Sequence, residues 1–199
     1  LDFSKAFDTV PHQRLLLKLD RYGLRGEIKD WIQAWLCDRK QTVVVDGDKS
    51  APVKVKSGVP QGTVLGPLMF LLYINDIGDD IESQIRLFAD DTILYTVIKG
   101  VGDAALLQND LEKMIDWCNV WQMSFNRDKC KVLRIYRSLH PVVHQYTLDG
   151  TVLESVHHHP YLGVELTSNL NWGKHISNIV GKTNRTLGFL RRNLGKCPE

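Results

Sequence analysis

Ile85-Arg86-Leu87-Phe88-Ala89-Asp90-Asp91-Thr92-Ile93-Leu94-Tyr95-Thr96-Val97 is the stretch on which the fold turns. Its β-branched and aromatic residues predict two short strands, 85–88 and 92–97, with Ala89-Asp90-Asp91 at a tight bend between them. Strand-borne side chains are rigid, and neighbouring strands lie about 4.8 Å apart. An acid at another strand end can therefore share cations with this pair. Asp2 is that acid, delivered by the short apolar run Leu1-Asp2-Phe3. Mg²⁺ takes a few carboxylates together with phosphate oxygens and water. Two such ions about 3.5–4 Å apart activate an attacking hydroxyl and stabilise a leaving phosphate. On a regular strand Asp91 faces away from Asp90, so it is assigned a supporting part.

Working outward, Gly58-Val59-Pro60-Gln61-Gly62 is a Gly/Pro loop that leads into an apolar segment, 64–77, predicted as a buried helix. Residues 11–22 read as a helix with Pro11 at its start and Gly23 past its end. Ile28, Trp31, Ile32, Trp35 and Leu36 give a second helical face. Val43, Val45, Val53 and Val55 alternate around Asp46-Gly47-Asp48, a hairpin signal. Leu107, Leu111, Met114, Ile115 and Cys118 mark a longer amphipathic helix capped near Asp103. Strands are expected at 131–136, 145–156 and 161–166, the middle stretch turning at Asp149-Gly150. His157-His158-His159 reads as a polar loop. Residues 174–193 close the chain as a helix striped with Ile176, Ile179, Val180, Leu187, Leu190 and Leu194. The expected fold class is α+β: one antiparallel sheet with helices packed on one face.

Hydrophobic residues make up 43% and charged residues 24% of the chain, which excludes a disordered or low-complexity protein. The net charge of +2 is segregated. Residues 166–198 hold Lys174, Lys182, Arg185, Arg191, Arg192 and Lys196 and no acid, so the rest of the chain is net acidic. That asymmetry points to a polyanionic partner. Four widely spaced cysteines read as reduced thiols of an intracellular protein. His140 and His144 with Cys118 and Cys130 lack the short Cys spacing of a zinc site. The unbroken apolar piece 68–74 is far below the roughly 18–20 residues of a membrane span.

The ordered set Asp2 and Phe7, Gly58-Val59-Pro60-Gln61-Gly62, and Phe88-Ala89-Asp90-Asp91 resembles reverse transcriptases. Ser4-Lys5-Ala6-Phe7-Asp8-Thr9-Val10-Pro11-His12 and Tyr161-Leu162-Gly163-Val164 resemble the non-LTR, LINE-type retrotransposons. The resemblance implies a polymerase palm over 1–166 and the start of a basic helical thumb over 167–199. It implies RNA-directed DNA polymerisation from an RNA template, a DNA primer and deoxynucleoside triphosphates, with two Mg²⁺ ions or Mn²⁺ in their place. Asp2 and Asp90 match the metal-binding aspartates, and Asp91 their neighbour. Phe7 matches the aromatic gate against a 2′-hydroxyl. Phe3, Pro60, Gln61 and Gly62 are assigned to the nucleotide and template. Lys129, with Asn126 before it, matches the lysine near the leaving pyrophosphate. Tyr161, Leu162 and Gly163 match the primer grip. Lys174, Lys182, Arg185, Arg191 and Arg192 are assigned to the nucleic-acid backbone.

The family's fingers region and the endonuclease of many such elements are not in these 199 residues. The chain reads as a fragment of a longer frame, a decayed copy or a partial gene, with little activity expected of it alone. Three rival readings stand beside the first. An intron-encoded reverse transcriptase shares the loop and the Ala-Asp-Asp patterns. A viral RNA-dependent RNA polymerase shares the palm, but Phe7 favours deoxynucleotides. An inert fragment that only binds nucleic acid would use the basic arm.

Overall fold

The computed structural model describes residues 1–137 and 141–194. In chain order they form α1 (Ala6–Thr9), α2 (His12–Arg21), α3 (Glu27–Leu36), β1 (Lys40–Gln41), β2 (Val44–Val45), β3 (Asp48–Lys49), β4 (Val53–Lys54) and α4 (Leu65–Ile74). There follow β5 (Gln84–Phe88), β6 (Asp91–Tyr95), α5 (Val101–Trp121), β7 (Lys131–Leu133), β8 (Thr147–Leu148) and β9 (Thr151–Val152). The last elements are β10 (Glu154–Val156), β11 (His158–Tyr161), β12 (Val164–Thr167) and α6 (Gly173–Leu194). Helices and strands mix as expected, but the single sheet does not form. The described strands make separate two-stranded pairs, and β7 with β10 is parallel rather than antiparallel.

Two compact units emerge. The first is Leu1–Cys130 with His144–Val152; the second is the described part of Lys131–Val143 and Leu153–Glu199. In the first, α2, α4 and α5 supply the core: Leu15, Leu19, Phe70, Tyr73, Ile74 and Met114 are essentially inaccessible. The segment 64–77 is not buried all round, because Leu68 and Leu71 of α4 stand half in solvent. Sequence patterning also misses a buried cation. Lys18 of α2 is 1% exposed. Its ammonium bonds the Tyr73 carbonyl and the Asp76 carboxylate. It lies 3.9 Å from the Trp121 ring centre and 4.5 Å from that of Trp117, where the ring faces attract positive charge.

Asp110 of α5 is fully buried and accepts the Ser83 N–H at 2.8 Å and the Glu82 N–H at 3.3 Å. It thereby pins the entry to β5 onto the helix. Asp103 accepts the Lys99 and Gly100 N–H groups at 2.7 and 2.9 Å, which satisfies donors at the start of α5. The expected hairpin at Asp46-Gly47 forms between β2 and β3. Val43, Val44, Val45 and Val53 are exposed there, so that alternation reports no buried face.

In the second unit β11 and β12 form a hairpin with Tyr161 opposite Val164. Leu162 and Gly163 turn it at φ +47° and +82°. The sequence reading ran one strand through this point, because leucine seldom adopts φ > 0. His158 and His159 belong to β11, not to a loop. Glu165 ties the hairpin to α6: its N–H donates to His175 Nδ1 at 3.3 Å and its carboxylate accepts Asn178 Nδ2 at 3.2 Å. No residue of α6 is buried. His140, Lys196 and Cys197 lie outside the described residues.

Candidate active site

Leu1 and Thr92 exchange both backbone hydrogen bonds, 2.7 Å from the Leu1 nitrogen to the Thr92 oxygen and 3.1 Å in return. Asp2 and Asp91 form the antiparallel bridge beside them. That is a non-hydrogen-bonded pair, the kind in which side chains on one face come closest. Pairing across the strands therefore sets Asp91, and not Asp90, directly opposite Asp2. Asp90 sits half-buried in the hairpin turn, after Ala89 at φ +50°. A two-residue hairpin wants glycine at such a position, and alanine there costs about 1–2 kcal/mol. Ala89→Gly should raise stability by about 0.5–1 kcal/mol, less than the full strain because glycine loses more entropy on folding. A thermal melt measures it; an unchanged or lower melting temperature would show a relaxed turn.

The other flank of Asp2 is held by residues 124–130. The Asn126 N–H donates to the Asp2 carbonyl at 2.8 Å, and the Asp2 N–H points at Cys130 Sγ at 3.4 Å. Phe3 bridges Phe125. Lys129 Nζ stands 3.5 Å from Asp2 Oδ1. Two carboxylates opposed across a strand pair repel and cost stability, and the Lys129 ammonium beside Asp2 offsets only part of that charge. Hard, partly accessible oxygen donors at this point fit Mg²⁺. Among the described residues, no three or more His, Cys, Asp or Glu side chains gather closely enough to enclose a metal ion. Cys130 was missed by the sequence reading. Its only signal there is its place next to Lys129.

The loop after Ser57 is sewn to the segment after Phe7. The Gly58 N–H donates to the Val10 carbonyl at 2.8 Å and the Val59 N–H to the Phe7 carbonyl at 2.7 Å. His12 Nε2 donates to the Gly58 carbonyl at 2.8 Å. At Gly58, φ +86°, a Cβ would sit 2.7 Å from the Asp8 backbone. At Gly66 a Cβ would meet the Pro60 carbonyl oxygen at 2.1 Å. Glycine is thus required at both by close backbone approach. Gln61 donates from Nε2 to Asp8 Oδ1 at 3.1 Å. Asp8 is a second residue that the sequence reading left without a role. Gly62 is exposed, with open space where a side chain would stand.

Phe7 is half-buried, its ring 4.6 Å from that of Phe70. Phe3 corrects the sequence reading. It is 2% exposed and stacks on Phe125 at 4.5 Å, edge-on to Phe70, so its ring packs in the core instead of lining an open face. Alternation explains this: with Asp2 on the open face, its neighbour faces inward. In the second unit Tyr161 is half-buried, while Leu162 and Gly163 are exposed at their turn. Lys174, Lys182, Arg185, Arg191 and Arg192 are all exposed on α6. The helical period sets Lys174, Lys182, Arg185 and Arg192 on the side away from Ile176, Ile179, Leu187 and Leu190.

Residues 1–166 match the family model described as reverse transcriptase (RNA-dependent DNA polymerase). The chain belongs to the reverse transcriptase family. It is 30% identical over 190 residues to the RNA-directed DNA polymerase from mobile element jockey of Drosophila funebris, which covers 90% of this chain and 20% of that protein. It is also 30% identical to the probable RNA-directed DNA polymerase from transposon BS of Drosophila melanogaster, over 96% of this chain and 22% of the relative. A more distant relative is the Pol polyprotein from retrotransposable element R2 of Popillia japonica, 24% identical over all of this chain and 34% of its own length. These similarities place this reverse transcriptase domain with LINE-type elements. It spans about a fifth of the length of the jockey and BS polymerases. Among the described residues no helix is long and apolar enough to cross a membrane.

Proposed function

We propose that residues 1–166 act as the palm, and 167–199 as the start of the thumb, of an RNA-directed DNA polymerase. The primer 3′-hydroxyl attacks the α-phosphate of a deoxynucleoside triphosphate on an RNA template, and pyrophosphate leaves. The observation that carries this reading is the opposition of Asp2 and Asp91 beside the Asp90 turn. Two Mg²⁺ ions, or Mn²⁺, held by Asp2, Asp90 and Asp91 would supply hydroxyl activation and charge stabilisation on the leaving group.

The chain's own side chains do the rest. Phe7, braced by Phe70, excludes a 2′-hydroxyl and so selects deoxynucleotides. Gln61, oriented by Asp8, and Gly62 meet the nascent base pair, on a loop shaped by Pro60. Lys129 neutralises charge on the departing pyrophosphate. Tyr161, Leu162 and Gly163 steady the primer end. The basic face of α6 holds phosphates, contacts that carry no sequence information and weaken steeply with salt.

Primer extension on an RNA template tests this, with the chain supplied alone and with the flanking polymerase segments restored. The restored form is expected to extend with Mg²⁺ and not after chelation, the chain alone to extend little, and Asp90→Ala should abolish extension by the restored form. Equal extension by the Asp90→Ala form overturns the metal assignment. The exposed basic face of α6 favours one second reading, an inert nucleic-acid-binding fragment. Salt-sensitive RNA binding with no Mg²⁺-dependent synthesis would select it.

A further inference from the structure

Lys129 does not stand free beside the carboxylates. Its ammonium is 3.5 Å from Asp2 Oδ1, the oxygen side of the residue assigned above as first metal ligand. The segment that carries it is anchored to the backbone of that same aspartate. Asn126 donates to the Asp2 carbonyl, and the Cys130 thiol lies against the Asp2 N–H. Lys129 side-chain exposure is 65%, against 27% for Asp2, so the lysine has more open solvent to move into than the aspartate. A carboxylate opposed by Asp91 needs positive charge nearby. The Leu1 ammonium, held on the Thr92 carbonyl, supplies part of it, and Lys129 is the side chain that pairs with the Asp2 carboxylate.

We infer that Lys129 is the stand-in cation on Asp2, and that metal loading and release of Lys129 are a single exchange. A divalent ion arriving at Asp2 displaces the ammonium. The freed side chain, still tethered by Asn126 and Cys130, is then available to the phosphate end of the nucleotide. One residue thus serves the same cleft twice, first as a counter-ion and then as a phosphate contact. The inference rests on the proposed reading of Asp2 as a metal ligand.

Mn²⁺ binding to the full chain, followed by the loss of its free-ion electron paramagnetic resonance signal, tests the exchange without catalysis. Lys129→Met removes the competitor and should tighten Mn²⁺ by about two- to fivefold, the range of one exposed ion pair. Lys129→Arg keeps the charge and should leave affinity near that of the parent. In an Asp2→Asn background, Lys129→Met should change nothing, because the shared contact is gone. Tightening that persists in that background marks a diffuse charge effect and overturns the exchange. Equal affinity for parent and Lys129→Met also overturns it, and leaves the metal reading intact provided Asp2→Asn still weakens Mn²⁺. If Asp2→Asn does not weaken Mn²⁺, the metal reading itself fails, and the exchange with it.

Discussion

Asp110→Ala is expected to cost the first unit about 2–4 kcal/mol, measured as a shift of the urea midpoint. The carboxylate is fully buried and receives two backbone donors, from Ser83 and Glu82, with Lys113 Nζ 3.3 Å away. Alanine leaves those donors without partners. A buried, unsatisfied N–H costs about 1–3 kcal/mol, and Ser83 is itself buried. Asp110→Asn keeps the shape and one acceptor, so it should lose about half as much. Burial alone pushes the Asp110 carboxyl up, but the Ser83 and Glu82 hydrogen bonds and Lys113 outweigh it and hold it below the ordinary range. A depressed carboxyl stabilises the fold above its unfolded value. The contribution is therefore full at neutral pH and is lost as pH falls below about 4. An Asp110→Asn form should lack that acid-side loss. A parent and variant with the same acid dependence would mean that Asp110 is not the group responsible. The functional consequence is local: the anchor fixes the approach to β5, the strand that leads into the Asp90 turn.

Lys18 gives the second large effect, with the same sign of pH dependence but in the alkaline range. Burial pushes its ammonium down to about 8, against the raising influence of Asp76. Between that value and the ordinary 10.5 the unfolded chain binds a proton that the folded chain does not, so stability rises with pH. The gain should be about 2 kcal/mol from pH 8 to 10. Burial also pushes the Cys118 thiol up to about 12, which removes stability above the ordinary thiol range. Parent and Lys18→Met share that loss, so it cancels in their difference. Urea midpoints at pH 7, 8, 9 and 10 should show the difference growing in favour of the parent toward alkaline pH. At pH 7 the methionine form should be the less penalised of the two, since Asp76 keeps its 2.9 Å hydrogen bond from Trp117 Nε1. A difference independent of pH would place the Lys18 proton outside this window.

Much of the candidate site is legible along the chain. The Asp90-Asp91 bend, the Gly58–Gly62 loop and the isolated Asp2 announce themselves by residue type and order. The hairpin and helices around them follow from periods of two and about 3.6. Local turn chemistry was read well where asparagine-like or glycine signals existed, as at Asp46-Gly47 and Asp149-Gly150, and poorly where leucine takes their place at Leu162. Lys18 is invisible to any pattern, because a lysine on a helix ordinarily marks the wet face. Its burial depends on Asp76, Trp117 and Trp121, 58 to 103 residues away.

By itself the sequence determined which chemistry-bearing groups exist, the order in which they come, and which short elements carry them. Those are properties of neighbours within a few residues, where backbone preference and side-chain period act directly. Only the tertiary structure decided that Asp91 rather than Asp90 faces Asp2, that Phe3 turns into the core, and that Cys130 closes on the Asp2 backbone and Lys129 on its carboxylate. Strand register is the physical reason. A slip of one residue reverses every side chain on a strand, and the register between residues 2 and 91 is set by bonds that form only after the intervening chain has folded back.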